Sequence, residues 1–166
     1  MTTLSFYNNS LGEGGGCAVA GALAMNSVLK SLNLNYNGLR EGFGRPIAGA
    51  LVVNSTLMSL FLYGNDLGEG GARAVADALV TNSTLTTLDI GFNDLGCGGS
   101  RAMVDVLEMN STLTQLDLRG NDLRHDVMAQ LESLLAGRAS VQAGIQVVAV
   151  KAALSAQPRE EKRVTP

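Results

Sequence analysis

Leu57-Met58-Ser59-Leu60-Phe61-Leu62-Tyr63-Gly64-Asn65-Asp66-Leu67-Gly68 reads as L-x-x-L-x-L-x-x-N-x-L, and the same frame returns every 28 residues along the chain. Leu29, Leu32, Leu34, Asn37 and Leu39 occupy it in the preceding block. Leu85, Leu88, Ile90, Asn93 and Leu95 occupy it in the next, followed by Leu113, Leu116, Leu118, Asn121 and Leu123. A block that starts at Met1, with Asn9 in the asparagine position, completes five repeats at 1–28, 29–56, 57–84, 85–112 and 113–140. A fixed period of this length is the mark of a stacked repeat architecture, so it takes precedence over any local reading.

Early in each block the apolar residues alternate, as Leu60 and Leu62 do, which is the period of a strand with one buried face. Later in the block Val75, Ala78 and Leu79 recur as Ile47, Ala50 and Leu51 before and as Met103, Val106 and Leu107 after, which is the spacing of a helix with one apolar stripe. Neither element can bury its apolar face alone. Stacking therefore predicts an α/β solenoid in which one parallel sheet is lined by a layer of helices. A polar column of Asn9, Asn37, Asn65, Asn93 and Asn121 beside the leucines is costly unless paired. Because an amide both donates and accepts, the column is expected to serve the backbone groups freed where the chain leaves each strand, tying one repeat to the next. Runs such as Gly68-Glu69-Gly70-Gly71 supply the turn and close helix approach. No Gly-Lys-Ser/Thr follows any of them, which argues against a phosphate loop.

The phrase Asn82-Ser83-Thr84-Leu85-Thr86-Thr87-Leu88-Asp89-Ile90, preceded by Gly70-Gly71-Ala72-Arg73-Ala74-Val75-Ala76-Asp77-Ala78-Leu79, resembles the leucine-rich repeats of the ribonuclease-inhibitor-like, 28-residue class. That class is found also in NOD-like receptors and the Ran GTPase-activating protein, and the resemblance spans residues 1 to about 140. It implies a right-handed horseshoe, with strands on the concave side and helices on the convex side, used to bind proteins. Block two departs from the pattern with Glu41-Gly42-Phe43-Gly44-Arg45-Pro46, so its helix should begin late, with Pro46 in the first turn. Block one leaves no residues for a polar cap, which predicts an open sheet edge and an apolar end. Block five should close on Leu131, Leu134 and Leu135, with Gly137 as the stop. Residues 141–157 read as a C-terminal cap or a sixth strand, and 158–166 as a disordered tail.

Charge and composition narrow the function. The chain has 166 residues and a formal net charge of -3, with no basic stripe of the kind that neutralises phosphates, so nucleic acid is not an expected partner. The N-terminal segment lacks a basic and apolar leader, and no stretch is long enough to span a bilayer, which makes a cytoplasmic location the expectation and a membrane partner unexpected. Cys17 and Cys97 fall three repeats apart, too far to be bridged. The sequons at Asn8, Asn54, Asn82 and Asn110 read as turn chemistry in that setting. His125 has no Cys or His spaced to share a metal and reads as a loop residue before the fifth helix. No cofactor and no metal are expected.

The binding positions are those of each strand not committed to the core, the second, third, fifth, seventh and eighth of the block. They collect Tyr7, Tyr36, Phe61, Tyr63 and Phe92, five of the seven aromatic residues in the chain. Strands about 4.8 Å apart would bring these rings into one patch, ringed by Lys30, Asn35, Asp89, Asp117 and Arg119. Binding surfaces favour aromatics with little entropy to lose; the alternative is that the rings stack across strands for stability. Asp89 and Asp117 fall at one position in adjacent strands. A catalytic or cation-binding pair is one reading, and neutralisation by Arg119 the simpler one. Asp66, Asp94 and Asp122 are expected to cap turns. The leading expectation is a module that holds a protein partner on its concave face, without enzyme activity. The resemblance suggests regulation of a small GTPase as an alternative, and the open first edge suggests a segment of a longer solenoid or an edge-paired homo-oligomer.

Overall fold

The computed structural model of the protein describes residues 2–139, with side chains described through Leu134. Five short strands, β1 (Thr3–Ser5), β2 (Ser31–Asn33), β3 (Ser59–Phe61), β4 (Thr87–Asp89) and β5 (Gln115–Asp117), alternate with five α-helices. The helices are α1 (Gly12–Met25), α2 (Gly44–Val53), α3 (Gly68–Thr81), α4 (Gly96–Met109) and α5 (His125–Ala139). The strands form one parallel sheet in sequence order, in a register that lines up Leu4, Leu32, Leu60, Leu88 and Leu116. Alternation puts Leu60, Leu62, Leu88 and Ile90 into the core, where they meet Ile47, Val75 and Met103 from the helices. Each such side chain, fully buried, contributes on the order of 2 kcal/mol of transfer free energy. Residues 140–166, and with them the cap, sixth-strand and tail expectations, lie outside the described residues.

Four asparagines of the column, Asn37, Asn65, Asn93 and Asn121, are buried and hydrogen-bonded between repeats, while Asn9 is exposed. Asn65 Nδ2 donates to the carbonyls of Leu62 and Leu34, each at 2.9 Å, and its Oδ1 accepts the Asn37 N–H at 2.8 Å. Asn93 and Asn121 repeat the pattern on Leu62 and Ile90 carbonyls at 2.9 and 3.0 Å, and accept the N–H groups of Asn65 and Asn93 at 3.1 and 2.9 Å. Asn37 reaches back to Phe6 and accepts from Asn9. Asn9, at the exposed edge, bonds only the Tyr7 carbonyl of its own loop through Nδ2.

A second ladder, not anticipated from the sequence, closes the opposite end of each helix. Asn54, Asn82 and Asn110 donate Nδ2 to Leu23, Leu51 and Leu79 carbonyls at 2.8, 2.7 and 2.7 Å, and accept the N–H groups of Leu57, Leu85 and Leu113 at 2.8 Å each. The three sequons are therefore inter-repeat ties as well as turns.

Block two differs from its neighbours at the helix start. Phe43 stands where neighbouring blocks carry Gly15, Gly71 and Gly99, and it is buried. Its ring leaves no room for a Cβ on Gly16. The chain makes a 3-10 turn over Glu41–Phe43, and α2 starts only at Gly44, with Pro46 in its first turn as expected. A Cβ on Gly44 would fall 2.3 Å from the Cα of Gly71, so α2 and α3 meet backbone to backbone.

Arg40, just ahead, adopts φ 60 and ψ 176, a region populated almost only by glycine. Gly12, Gly68 and Gly96 fill the same position elsewhere. Arg40→Gly is expected to raise stability by about 1 kcal/mol, the strain released less the extra freedom of the unfolded chain. Denaturant melting checks it; an unchanged or lower midpoint would mean the conformation costs Arg40 nothing.

Three expectations are corrected. Helix α5 runs through Gly137 to Ala139, since a glycine inside a helix costs only about 1 kcal/mol and ends it only where the chain turns left-handed. His125 is the first residue of α5 rather than a loop residue. Asp66, Asp94 and Asp122, expected to cap turns, show no side-chain hydrogen bond among the described residues. Asp66 and Asp94 take left-handed φ values of 55 and 52, which aspartate tolerates better than most residues.

Candidate protein-binding face

The chain turns sharply after each strand, and the eighth residue of every block is left-handed: Asn8, Tyr36, Gly64, Phe92 and Gly120. This turn brings seventh- and eighth-position side chains of successive blocks into one line. Tyr7 and Tyr36 meet edge to face at 5.7 Å between ring centroids, Tyr36 and Tyr63 tilt at 5.2 Å, and Tyr63 and Phe92 tilt at 4.9 Å. The row is packed from beneath by the next repeat: a Cβ on Gly64, Gly91 or Gly120 would come within 2.8, 3.1 or 2.4 Å of the Tyr36, Tyr63 or Phe92 ring. Partial burial and the neighbouring Tyr36 hydroxyl push the Tyr63 hydroxyl above the usual phenol range.

Although they touch, the rings stay wet: Tyr7, Tyr36 and Phe92 keep 53%, 45% and 52% of their surface exposed. Two of them sit on costly backbone, with φ of 55 at Tyr36 and 51 at Phe92. A bulky residue there is an outlier that costs on the order of 1 kcal/mol or more. Ring contacts of this kind return about as much. A row kept for stability alone gains little at these two positions.

Phe61 does not join the row. It pairs in register with Asp89 of β4, which pairs with Asp117 of β5, and the three border a separate hollow. Asp117 is neutralised by Arg119, whose Nη2 lies 2.6 Å from Oδ2 and whose Nε donates to both oxygens at 2.7 and 3.0 Å. Asp89 accepts the Gly91 N–H at 3.1 Å and forms no ion pair among the described residues; desolvation, with Asp117 adding to it, pushes its carboxyl above the ordinary range. Asn35 is half-buried and accepts the Tyr63 N–H at 2.8 Å, so part of its role is structural. Lys30 is exposed ahead of β2.

One surface feature escaped the sequence reading. Met25, Val52, Val53, Val80 and Met109 are exposed at the C-terminal ends of four successive helices. Met25, Val53 and Met109 share one place in the 28-residue frame, a periodicity that could have revealed them. Cys17 is half-buried in α1 and Cys97 exposed in α4, both free. No helix among the described residues is long and apolar enough to cross a membrane.

With this geometry in place, comparison with known proteins supplies the class. A family model described as Leucine Rich repeat matches residues 81–103 and 110–124. The fold is a leucine-rich-repeat solenoid. Among solved structures, actin-binding site 2 of leiomodin-1 is similar at 25% identity, with 84% of each chain covered and a TM-score of 0.70. The tropomodulin C-terminal domain of Caenorhabditis elegans shares the fold at 10% identity and a TM-score of 0.72, covering 84% of this chain and 85% of that one. No curated protein matches the sequence. Placed on the solenoid, Tyr7, Tyr36, Tyr63 and Phe92 cross four repeats of the strand side. The aliphatic residues mark its helical side.

Proposed function

We propose that this solenoid, of the ribonuclease-inhibitor-like class by its spacing, is a cytosolic, non-enzymatic interaction module that holds a protein partner on its concave face. The observation that carries the reading is the row of four rings, three of them about half exposed and two on strained backbone. Rings of this kind anchor interfaces because they bury large area and lose little entropy. The buried Asn54, Asn82 and Asn110 leave their sequons closed to glycan, in keeping with a cytosolic setting. The likeness to an actin-binding domain of leiomodin-1 makes actin the first partner to test. Biolayer interferometry with monomeric actin, then with proteins captured on the wild-type chain, provides the assay. Loss of binding on ring truncation supports the proposal; loss only when Val53 and Met109 are changed moves the interface to the helices. Regulation of a small GTPase rests on the resemblance, and accelerated GTP hydrolysis would bring it forward.

A second reading is self-association through β1, the outermost strand of the described sheet. Leu4, Phe6, Val19 and Leu23 border an apolar hollow there. If β1 is a free edge, its amides should exchange fastest among the strands at every concentration. If copies pair through it, protection at Thr3 to Ser5 should rise with concentration. Uniform protection of all five strands would contradict both.

A further inference from the structure

Beside the ring row, β3, β4 and β5 enclose a hollow of about 150 Å³ bordered by Phe61, Thr87, Asp89, Gln115 and Asp117. Pockets for whole small molecules run from roughly 300 Å³ upward, so this one has room for the head of a single side chain. Its chemistry is uneven. Phe61, Asp89 and Asp117 follow one another across adjacent strands, within about 10 Å in all. Two carboxylates share one guanidinium, and Arg119 is committed to Asp117 through Nε, Nη2 and its own N–H. The surplus is one negative charge, on Asp89, against an aromatic wall. Thr87 Oγ1 donates to Gln115 Oε1 at 3.1 Å, which takes up that hydroxyl and that amide oxygen. Such a site has no use for an anion or a further apolar group. A cation gains both a carboxylate and the face of a ring.

We infer that this hollow receives a cationic side chain, arginine in the first place, from the protein that lies along the aromatic row. The inference rests on the concave-face reading and adds the partner's chemistry to it: a basic residue set beside the apolar stretch that covers the rings. Planar guanidinium suits the slot better than ammonium because it can stack on Phe61 while donating to Asp89. The carboxyl of Asp89 is raised first by desolvation and then by Asp117, against the opposing pull of Arg119, in agreement with a charge held partly out of water.

The test is an NMR titration of the full chain, labelled with nitrogen-15, using N-acetyl-arginine amide and its neutral isostere N-acetyl-citrulline amide. Arginine should shift the Phe61, Asp89, Gly91 and Gln115 amides together and saturate in the millimolar range. Citrulline should bind at least fivefold more weakly, as should arginine to Asp89→Asn, which keeps an acceptor for the Gly91 N–H and so preserves the turn. Equal shifts with citrulline, unchanged binding to Asp89→Asn, or shifts scattered over Glu69, Asp105 and other exposed carboxylates would overturn the inference. The two proposals fail separately. If truncating Tyr36 and Phe92 weakens a protein partner while arginine ignores the hollow, the cation slot falls and the concave face stands; if arginine binds but ring truncation leaves partner affinity unchanged, the ring row falls.

Discussion

Asn65→Leu should destabilise the domain by roughly 1 to 3 kcal/mol. The side chain is fully buried, and the leucine has the right size but no polar atoms. It would leave the Asn37 N–H without the acceptor now at 2.8 Å and take one of two donors from the Leu34 and Leu62 carbonyls, which keep the Nδ2 groups of Asn37 and Asn93. Stranding buried backbone groups costs more than the bonds themselves contribute, because water cannot reach them. Asn9→Leu, at the same place in an exposed repeat, is the control and should stay within about 0.5 kcal/mol of wild type. Urea melting of both variants decides it. An unchanged midpoint for Asn65→Leu would remove the ladder from the account of stability.

Much of this fold is written in residues whose burial is obligatory. The leucines at 32, 60, 88 and 116 can face only the core in a strand of period two, so their spacing specified sheet, register and stacking together. Pro46 and Phe43 announced a short second helix because neither fits the glycine-rich start of the others. The second ladder was hidden because Asn-Ser-Thr also spells an ordinary turn; only the 28-residue recurrence with burial separates the two uses. The site was legible in part. The strand positions facing away from the core include the four rings that stack, Tyr7, Tyr36, Tyr63 and Phe92, but strand parity alone could not separate Phe61 from the row. That depends on the left-handed eighth residue, a conformation adopted alike by Asn8, Tyr36 and Gly64 and so not signalled by any one letter. Arg119 fell to Asp117 rather than Asp89 because the chain places it two residues on, in the same turn.

The larger functional effect is expected at the rings. Tyr36→Ala, Tyr63→Ala and Phe92→Ala should each weaken partner binding by on the order of 1 to 3 kcal/mol, about 5- to 150-fold, if they are the anchors of the interface. Their cost to the fold should be smaller. The rings rest on Gly64, Gly91 and Gly120 rather than in the core, and Tyr36 and Phe92 remain about half exposed. On the helical side, Arg73 pairs with Glu69 in an exposed i,i+4 bridge of little consequence, and Asp77 is also on α3. Neither Arg73→Ala nor Asp77→Ala should change stability by more than about 0.5 kcal/mol.

The most direct measurement is therefore the dissociation constant of one captured partner, read in parallel with the melting temperature, for wild type, the triple ring variant and the two helix variants. A concave interface predicts that the triple variant loses binding and keeps a near-native melt while Arg73→Ala and Asp77→Ala bind as wild type. Normal binding by a triple variant that melts far lower, together with loss of capture by the helix variants, would make the rings structural and put the partner on the convex side.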